Sequence, residues 1–166
     1  SMGGRVKLWD VASGQTRFEL TGINPEVWSV SLSPDGRTLA TGNVRGQVTL
    51  WDVFSGRKLH ELNGYRSRVL AVAFTPDSRT LAFGSAEDHT VKLWDVKSGK
   101  ELRELVVPEE NELTVWSIAF SPDGRTLACG WGLSADGANQ AMYPIRLWRG
   151  ATDAEVARDC IRCGRK

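Results

Sequence analysis

The chain has 166 residues, with 21 basic side chains nearly balanced by 20 acidic ones. A length in this range is typical of one ordinary domain that buries its own core, and a net charge near zero gives no global field that would attract nucleic acid or anionic lipid. No apolar run approaches the ~20 residues of a membrane-spanning helix, and no signal-peptide pattern precedes the first turn, so we expect neither a nucleic-acid nor a membrane partner.

A motif that ends in Trp-Asp recurs along the chain at a nearly fixed interval. It places Trp9, Trp51 and Trp94 at spacings of 42 and 43 residues, and the weaker sequence IRLWR brings Trp148 after a further 54. A second motif, SPDGRTLA or TPDSRTLA, begins at residues 33, 75 and 121. Repeats of 40 to 45 residues predict stacked structural units rather than one irregular domain.

The first residues, GRVKLWDVASGQTRFEL, contain two predicted strands around a turn, and they match the second half of the later units. The complete unit that follows, residues 27–63, divides into four short β-branched or aromatic segments. The first and second segments are joined by Pro34-Asp35-Gly36, where proline fixes one dihedral angle and glycine accepts a positive φ. Four antiparallel strands in about 42 residues are typical of a propeller blade.

With these motifs in this order, the chain resembles the WD-repeat β-propeller family, in its bacterial style, from residue 4 to about residue 158. The resemblance implies an all-β fold of four-stranded antiparallel blades, about three and a half per chain. The matching structural positions are Trp9 and Asp10, Trp51 and Asp52, Trp94 and Asp95, and Trp148.

In this family a histidine, a hydroxyl residue, an aspartate and the tryptophan form a hydrogen-bonded tetrad in each blade. No unit here carries all four residues at the matching places. The unit that begins at Val27 has Ile23, Thr41, Arg45 and Trp51, and the next has Tyr65, Phe83, Asp88 and Trp94. In the third unit Cys129 and Trp148 occupy the hydroxyl and tryptophan places. Because a half-formed buried polar network is unfavourable, we expect apolar packing to hold the blades together.

The repeat pattern divides the chain into units that we expect to be separate blades. They are a leader or tag remnant at 1–3, a half blade of third and fourth strands at 4–22, blades at 23–64 and 65–107, a blade with insertions at 108–160, and a tail at 161–166. Terminal blades expose apolar faces and open strand edges. We therefore expect homo-oligomerisation or completion by another propeller half, unless the sequence is a segment of a longer chain.

The third complete unit has two enlarged connections. Insertions that interrupt a repeat often lie on the binding face, and the family binds partners through the loops that join fourth to first strands and second to third strands. The resemblance therefore implies a protein or peptide partner on this loop face. The candidate partner-binding residues are Trp131, Met142 and Tyr143 in one insertion, Glu109 and Glu110 in the other, and Arg45, Tyr65, Arg66 and Arg68 on adjacent units. The alternatives are an ordinary solvated rim and an insertion that covers an exposed blade edge.

Candidate catalytic and metal-binding residues are few. His60 and His89 lack a neighbouring nucleophile in an activating context, and no phosphate-binding, dinucleotide or calcium motif occurs. Cys160 and Cys163 supply half a zinc site at best. Together with Cys129 they make an odd number of thiols, which favours a reducing, cytoplasmic location. We expect a non-enzymatic interaction scaffold without a cofactor; the alternatives are a self-assembling propeller fragment and a sensor domain of a larger bacterial protein.

Overall fold

The structure, a computed structural model, describes residues 4–23, 26–106, 113–133 and 145–149. These residues form thirteen β-strands and no helix. Within this part of the chain, therefore, no helix has the length and apolar character needed to cross a membrane.

The strands form four antiparallel sheets, and strands that follow one another in each sheet are neighbours. The first sheet has two strands, β1 (Gly4–Trp9) and β2 (Thr16–Ile23). The second sheet has four, β3 (Val27–Leu32), β4 (Thr38–Asn43), β5 (Gln47–Asp52) and β6 (Lys58–Asn63).

The third sheet repeats the second, and the fourth repeats its first three strands. The third sheet contains β7 (Val69–Phe74), β8 (Thr80–Ser85), β9 (Thr90–Asp95) and β10 (Lys100–Val106). The fourth contains β11 (Leu113–Phe120), β12 (Thr126–Leu133) and β13 (Ile145–Arg149). The expected all-β fold of four-stranded propeller blades is thus confirmed, whereas the fourth strand predicted after Trp148 lies outside the described residues.

The SPDGR segment, replaced by TPDSR in the third sheet, is a tight turn between the first and second strands of the second, third and fourth sheets. Asp35 accepts hydrogen bonds from the hydroxyl of Ser33 at 2.6 Å and from the backbone amide of Arg37 at 3.0 Å, while Gly36 adopts a φ of 70°. The hydroxyl bond from Ser33, followed by the Arg37 amide, lowers the pKa of Asp35. The octapeptide therefore encodes a hairpin turn, as its sequence predicts.

Neighbouring sheets interlock through a glycine on the second strand of one and a valine on the first strand of the next. A Cβ added at Gly42 would lie 2.6 Å from Val69 Cγ1, and one added at Gly84 would lie 2.6 Å from Val115 Cγ1. Ser29 also donates a hydrogen bond across this boundary to the carbonyl oxygen of Val69 at 2.9 Å. Because glycine has no side chain, each valine packs directly against the backbone of the preceding sheet.

The prediction that Trp131 belongs to an exposed insertion is wrong. Trp131 lies in β12, opposite Val115 of β11, and its side chain is buried in the core between the third and fourth sheets. Strand β12 is eight residues long, two more than the equivalent strands β4 and β8, because pairing with the long β11 continues as far as Leu133. Trp131 is therefore a core residue.

Candidate interaction surface

Tyr65 anchors the β6–β7 loop to the third sheet. Its hydroxyl lies 2.7 Å from the carbonyl oxygen of Thr90 and 3.0 Å from that of Phe83, which share its one proton, and so it ties the β6–β7 loop to strands β8 and β9. Its ring meets Phe83 edge to face at a centroid distance of 5.5 Å, and Phe83 stacks on Trp94 at 5.9 Å. Burial raises the pKa of the Tyr65 phenol.

These contacts change the role that we assigned to Tyr65. It was expected to face a partner, but its hydroxyl is bonded within the chain and its ring is packed against Phe83. Asp88 is likewise engaged locally, where it accepts a hydrogen bond from the hydroxyl of Ser85. Both residues act first as supports of the loop face, consistent with Tyr65 occupying a structural place in the repeat.

The second sheet keeps the hydroxyl–tryptophan half of the family network. Trp51 Nε1 donates to the hydroxyl of Thr41 at 2.9 Å, and Thr41 is buried. In the third sheet Phe83 stands at the place of Thr41, and Trp94 Nε1 has no hydrogen-bond partner among the described residues. An apolar stack thus replaces the polar pair.

Two loops of the loop face touch each other and bring their arginines to one region. The amide of Tyr65 donates to the carbonyl oxygen of Gly46 at 3.3 Å, so the β6–β7 loop lies on the β4–β5 loop. Gly46 has a φ of 79°, and a Cβ there would lie 2.2 Å from the Tyr65 carbonyl oxygen. Glycine is therefore required at this close approach. The loops carry three exposed guanidinium groups, those of Arg45, Arg66 and Arg68.

Trp28 extends this basic region onto the first strand of the second sheet. The guanidinium carbon of Arg68 lies 5.7 Å from the centre of the Trp28 ring, within the range of a cation–π interaction. Trp28 is half exposed. Sequence reasoning missed this residue as part of the surface, because Trp116 recurs at the matching position of β11 and only β7 differs there, with Leu70.

The three arginines keep their charges available on the surface. None of them forms an ion pair with another residue in the described ranges, whereas Lys92 in the same sheet is paired with Glu101 at 3.1 Å and Glu104 at 3.8 Å. Guanidinium groups offer paired donors that match the geometry of a carboxylate. We call the group formed by Arg45, Arg66, Arg68 and Trp28 the basic patch.

Several of the predicted site residues cannot be placed. Glu109, Glu110, Met142 and Tyr143 lie outside the described residues, as do Cys160 and Cys163. The backbone of Trp148 pairs with Leu127, which is the register that Trp51 has with Leu39 and Trp94 has with Leu81.

The side chains considered for chemistry occupy structural positions. His60 lies on β6, where its Nε2 is 3.1 Å from the carbonyl oxygen of Lys97 in the next sheet. Cys129 is buried at the place of Thr41, and this burial raises the pKa of its thiol to about 12. Within the described ranges, no three His, Cys, Asp or Glu side chains are grouped closely enough to hold a metal ion.

The family model "WD domain, G-beta repeat" matches the chain three times, at residues 14–52, 56–95 and 99–138. The first match covers strands β2 to β5 and the second covers β6 to β9. These two sequence repeats therefore begin with the last strand of one sheet and end with the third strand of the next, and the third match covers β10 to β12. A comparison with curated proteins finds no match.

Proposed function

Since this chain belongs to the WD-repeat family, we propose that it is a non-enzymatic interaction scaffold that binds an acidic protein or peptide segment through its basic patch. Proteins of this family generally act as propeller scaffolds for protein–protein interaction. The function of this chain must still be argued from its own surface, because one fold serves many functions.

The observation that carries the proposal is the contact between the β4–β5 and β6–β7 loops. It gathers Arg45, Arg66 and Arg68 on one region of the loop face, where no described acidic side chain pairs with them. The β6–β7 loop is held in place, since the Tyr65 hydroxyl fixes it to two strands. A preformed surface loses less conformational entropy on binding than a disordered one does.

The chemistry of the basic patch selects a partner that combines carboxylates with an apolar or aromatic side chain. The arginines supply charge-assisted hydrogen bonds to Asp or Glu, and the exposed indole of Trp28 supplies a flat apolar contact. Tryptophan and arginine are the residue types most enriched at the energetic centres of protein interfaces. We expect binding to weaken with salt, because the charges are solvent-exposed.

The test uses a fluorescein-labelled peptide rich in Glu and Asp with one central Phe, with its Lys-substituted counterpart as the reversed-charge probe. Replacement of Arg45, Arg66 and Arg68 together by Gln should weaken binding of the acidic peptide at least tenfold in an anisotropy titration. The matched control replaces Arg37, Arg79 and Arg125 by Gln, which removes the same charge from exposed turns at the opposite ends of the strands. Equal losses in both triple variants, or no binding by the unaltered chain, would contradict the proposal.

A second candidate function is self-assembly of the propeller segment. The observation that favours it is a set of large apolar side chains that are exposed on the first two sheets although their equivalents in later sheets are buried or partly buried, namely Trp9, Val30 and Leu32. Its direct test is the mass of the chain in solution, where a monomer at micromolar concentration would contradict it.

A further inference from the structure

The exposed apolar residues of the second sheet lie where the preceding sheet has no inner strands. In the two complete interfaces between sheets, the first strand of one sheet is covered by the first and second strands of the sheet before it. The described residues of the first sheet supply only β1 and β2, which match third and fourth strands. They pack on the second sheet around Leu39 and Val53, and Val27 at the start of β3 lies against the same cluster.

The exposed fractions of residues at matching strand positions show how much of this side of the second sheet is uncovered. Val30, opposite Thr41, is 56% exposed, whereas Ile118, opposite Cys129, is 9% exposed. Leu32 is 51% exposed and its equivalent Phe74 is 7% exposed. We call the surface formed by Val30, Leu32 and Trp9 the inner open face.

Trp9 belongs to the same surface for a related reason. Trp51 and Trp94 each lie opposite a leucine of a second strand, Leu39 and Leu81. Strand β1 has no second strand beside it among the described residues, and Trp9 is 58% exposed whereas Trp94 is 9% exposed. An occupant of the inner open face must therefore bring a first and a second strand, with a leucine opposite Trp9.

The opposite end of the repeat array presents the matching surface. In the second and third sheets, one side packs against the next sheet along the chain. The same side of the fourth sheet carries small residues, and we call the surface that they form the end face: Ser117, Ala119, Ala128 and Gly130. Ala40 and Ala82 occupy the place of Ala128 in the two complete interfaces and are fully buried, but Ala128 is partly exposed. A Cβ at Gly130 would meet nothing nearer than Ser117 Cβ at 3.8 Å.

We propose that two copies of this chain associate head to tail, with the end face of one copy packed on the inner open face of the other. This inference rests on the self-assembly candidate and names both of its surfaces. The contact would repeat an interface that the chain already forms twice, between the second and third sheets and between the third and fourth. We therefore propose a second copy as the occupant, because its end face has the shape that packs on the equivalent surfaces within the chain. In that interface Val27 of one copy packs against Gly130 of the other, as Val69 does against Gly42 and Val115 against Gly84.

The repeat also predicts one hydrogen bond across the contact. Ser29 donates to the carbonyl oxygen of Val69 at 2.9 Å, and Ser117 and Val27 occupy the matching places on the two faces. The hydroxyl of Ser117 would therefore donate to the carbonyl oxygen of Val27 in the other copy. Ala71, at the same place in the third sheet, has no hydroxyl, so the structure shows this bond at one of the two interfaces between complete repeats.

The association requires an exchange of strands at one edge. Strand β13 pairs with the edge of β12 that β1 of the other copy would occupy, and both are third strands that present a Leu-Trp pair. Exchange of β13 for β1 replaces one antiparallel pairing by another, while the inner open face becomes buried. Such an exchange of equivalent elements is a low-cost route to association.

Two substitutions block one face each and leave the chain's own packing intact. Gly130→Val adds a side chain at the position where Val27 of the other copy would pack, and within one chain this side chain has room. Val30→Asp places a charge on the inner open face at an exposed position. Light scattering should show the unaltered chain at twice its 18.3 kDa mass or more. Each variant alone should be monomeric, with a melting temperature that confirms folding.

The decisive arm mixes the two variants. Gly130→Val keeps its inner open face and Val30→Asp keeps its end face, so an equimolar mixture should form one sound contact and give a 1:1 dimer. Association that survives in either variant alone, or a mixture that stays monomeric, overturns the pairing of these two faces. An unaltered chain that is itself monomeric overturns self-assembly as well. Neither result bears on binding of the acidic peptide, which is measured separately at the basic patch.

Discussion

Trp51 Nε1 donates a hydrogen bond to the hydroxyl of Thr41 at 2.9 Å, across two neighbouring strands of the second sheet. In the next sheet Phe83 takes the place of Thr41 and stacks on Trp94 with an angle of 24° between the rings. The same register position is thus filled by a polar pair in one sheet and by an aromatic stack in the next. Both solutions hold the tryptophan against the second strand.

Replacement of Thr41 by Val should lower the free energy of unfolding by about 1–3 kcal/mol. The side chain keeps its volume but no longer accepts the indole N–H of Trp51, which leaves a donor without its partner. Thr41→Ser retains the hydroxyl and should recover most of the loss. Urea unfolding followed by tryptophan fluorescence measures both variants, and a Val variant as stable as the unaltered chain would show that the bond contributes nothing.

Replacement of Tyr65 by Phe should also destabilise the chain by about 1–3 kcal/mol, because the carbonyl oxygens of Phe83 and Thr90 lose the one hydroxyl proton that they share. The packing of the ring against Phe83 is retained, so the effect isolates the hydrogen bonds. Amide hydrogen exchange of the β6–β7 loop should become faster in this variant. Unchanged exchange in this loop would mean that Tyr65 does not anchor it.

Alanine substitution should destabilise the chain at Gly42, which lies between two sheets, and not at Gly130, which lies on the end face. At Gly42 the new Cβ would lie 2.6 Å from Val69 Cγ1, and the overpacking should cost about 1–3 kcal/mol. Both substitutions are made in the Val30→Asp variant, which we expect to be monomeric. The new Cβ at Gly130 then has room, so the free energy of unfolding should stay within about 1 kcal/mol of that of the parent variant or rise. Thermal melts of the two variants provide the comparison. Similar losses at both positions would contradict the interlocking of the sheets.

The chain should lose stability as the pH rises above about 9. Burial raises the pKa of Cys129 from 9.0 to about 12 and raises that of Tyr65 above its ordinary 10.0. Between the unfolded and folded pKa values the unfolded chain releases protons that the folded chain retains, so deprotonation favours unfolding. Urea midpoints measured from pH 8 to pH 11 should fall.

A variant identifies the thiol's share of this pH dependence. Cys129→Ala should flatten the decline that begins near pH 9 and leave the later decline attributed to Tyr65. A profile for Cys129→Ala that is parallel to that of the unaltered chain would exclude the thiol as its source.

The sequence predicted the architecture because its repeats carry their own register. The nearly equal spacing of Trp9, Trp51 and Trp94 and the recurring Pro-Asp turns define strands and hairpins without any tertiary information. The interaction surface was harder to predict. Whether a tryptophan beside an insertion is a loop residue or a core residue depends on how far two strands continue to pair, and pairing up to Leu133 buried Trp131.

Two other features depended on contacts between a loop and strands that are distant from it in sequence. Tyr65 lies in a loop, and nothing in its local sequence shows that its hydroxyl reaches Phe83 and Thr90. The approach of Arg68 to Trp28 joins two sheets and is likewise a product of their packing. Arg45, Arg66 and Arg68 could be assigned to one face from strand direction alone.

The account depends most on the interlocking of glycine and valine between successive sheets, and nuclear Overhauser contacts in a methyl-labelled sample of the full chain test it directly. We expect strong contacts from the Val69 methyl groups to the Gly42 α-protons and from the Val115 methyl groups to the Gly84 α-protons. Absence of both contacts in a folded sample would contradict the stacking of these sheets.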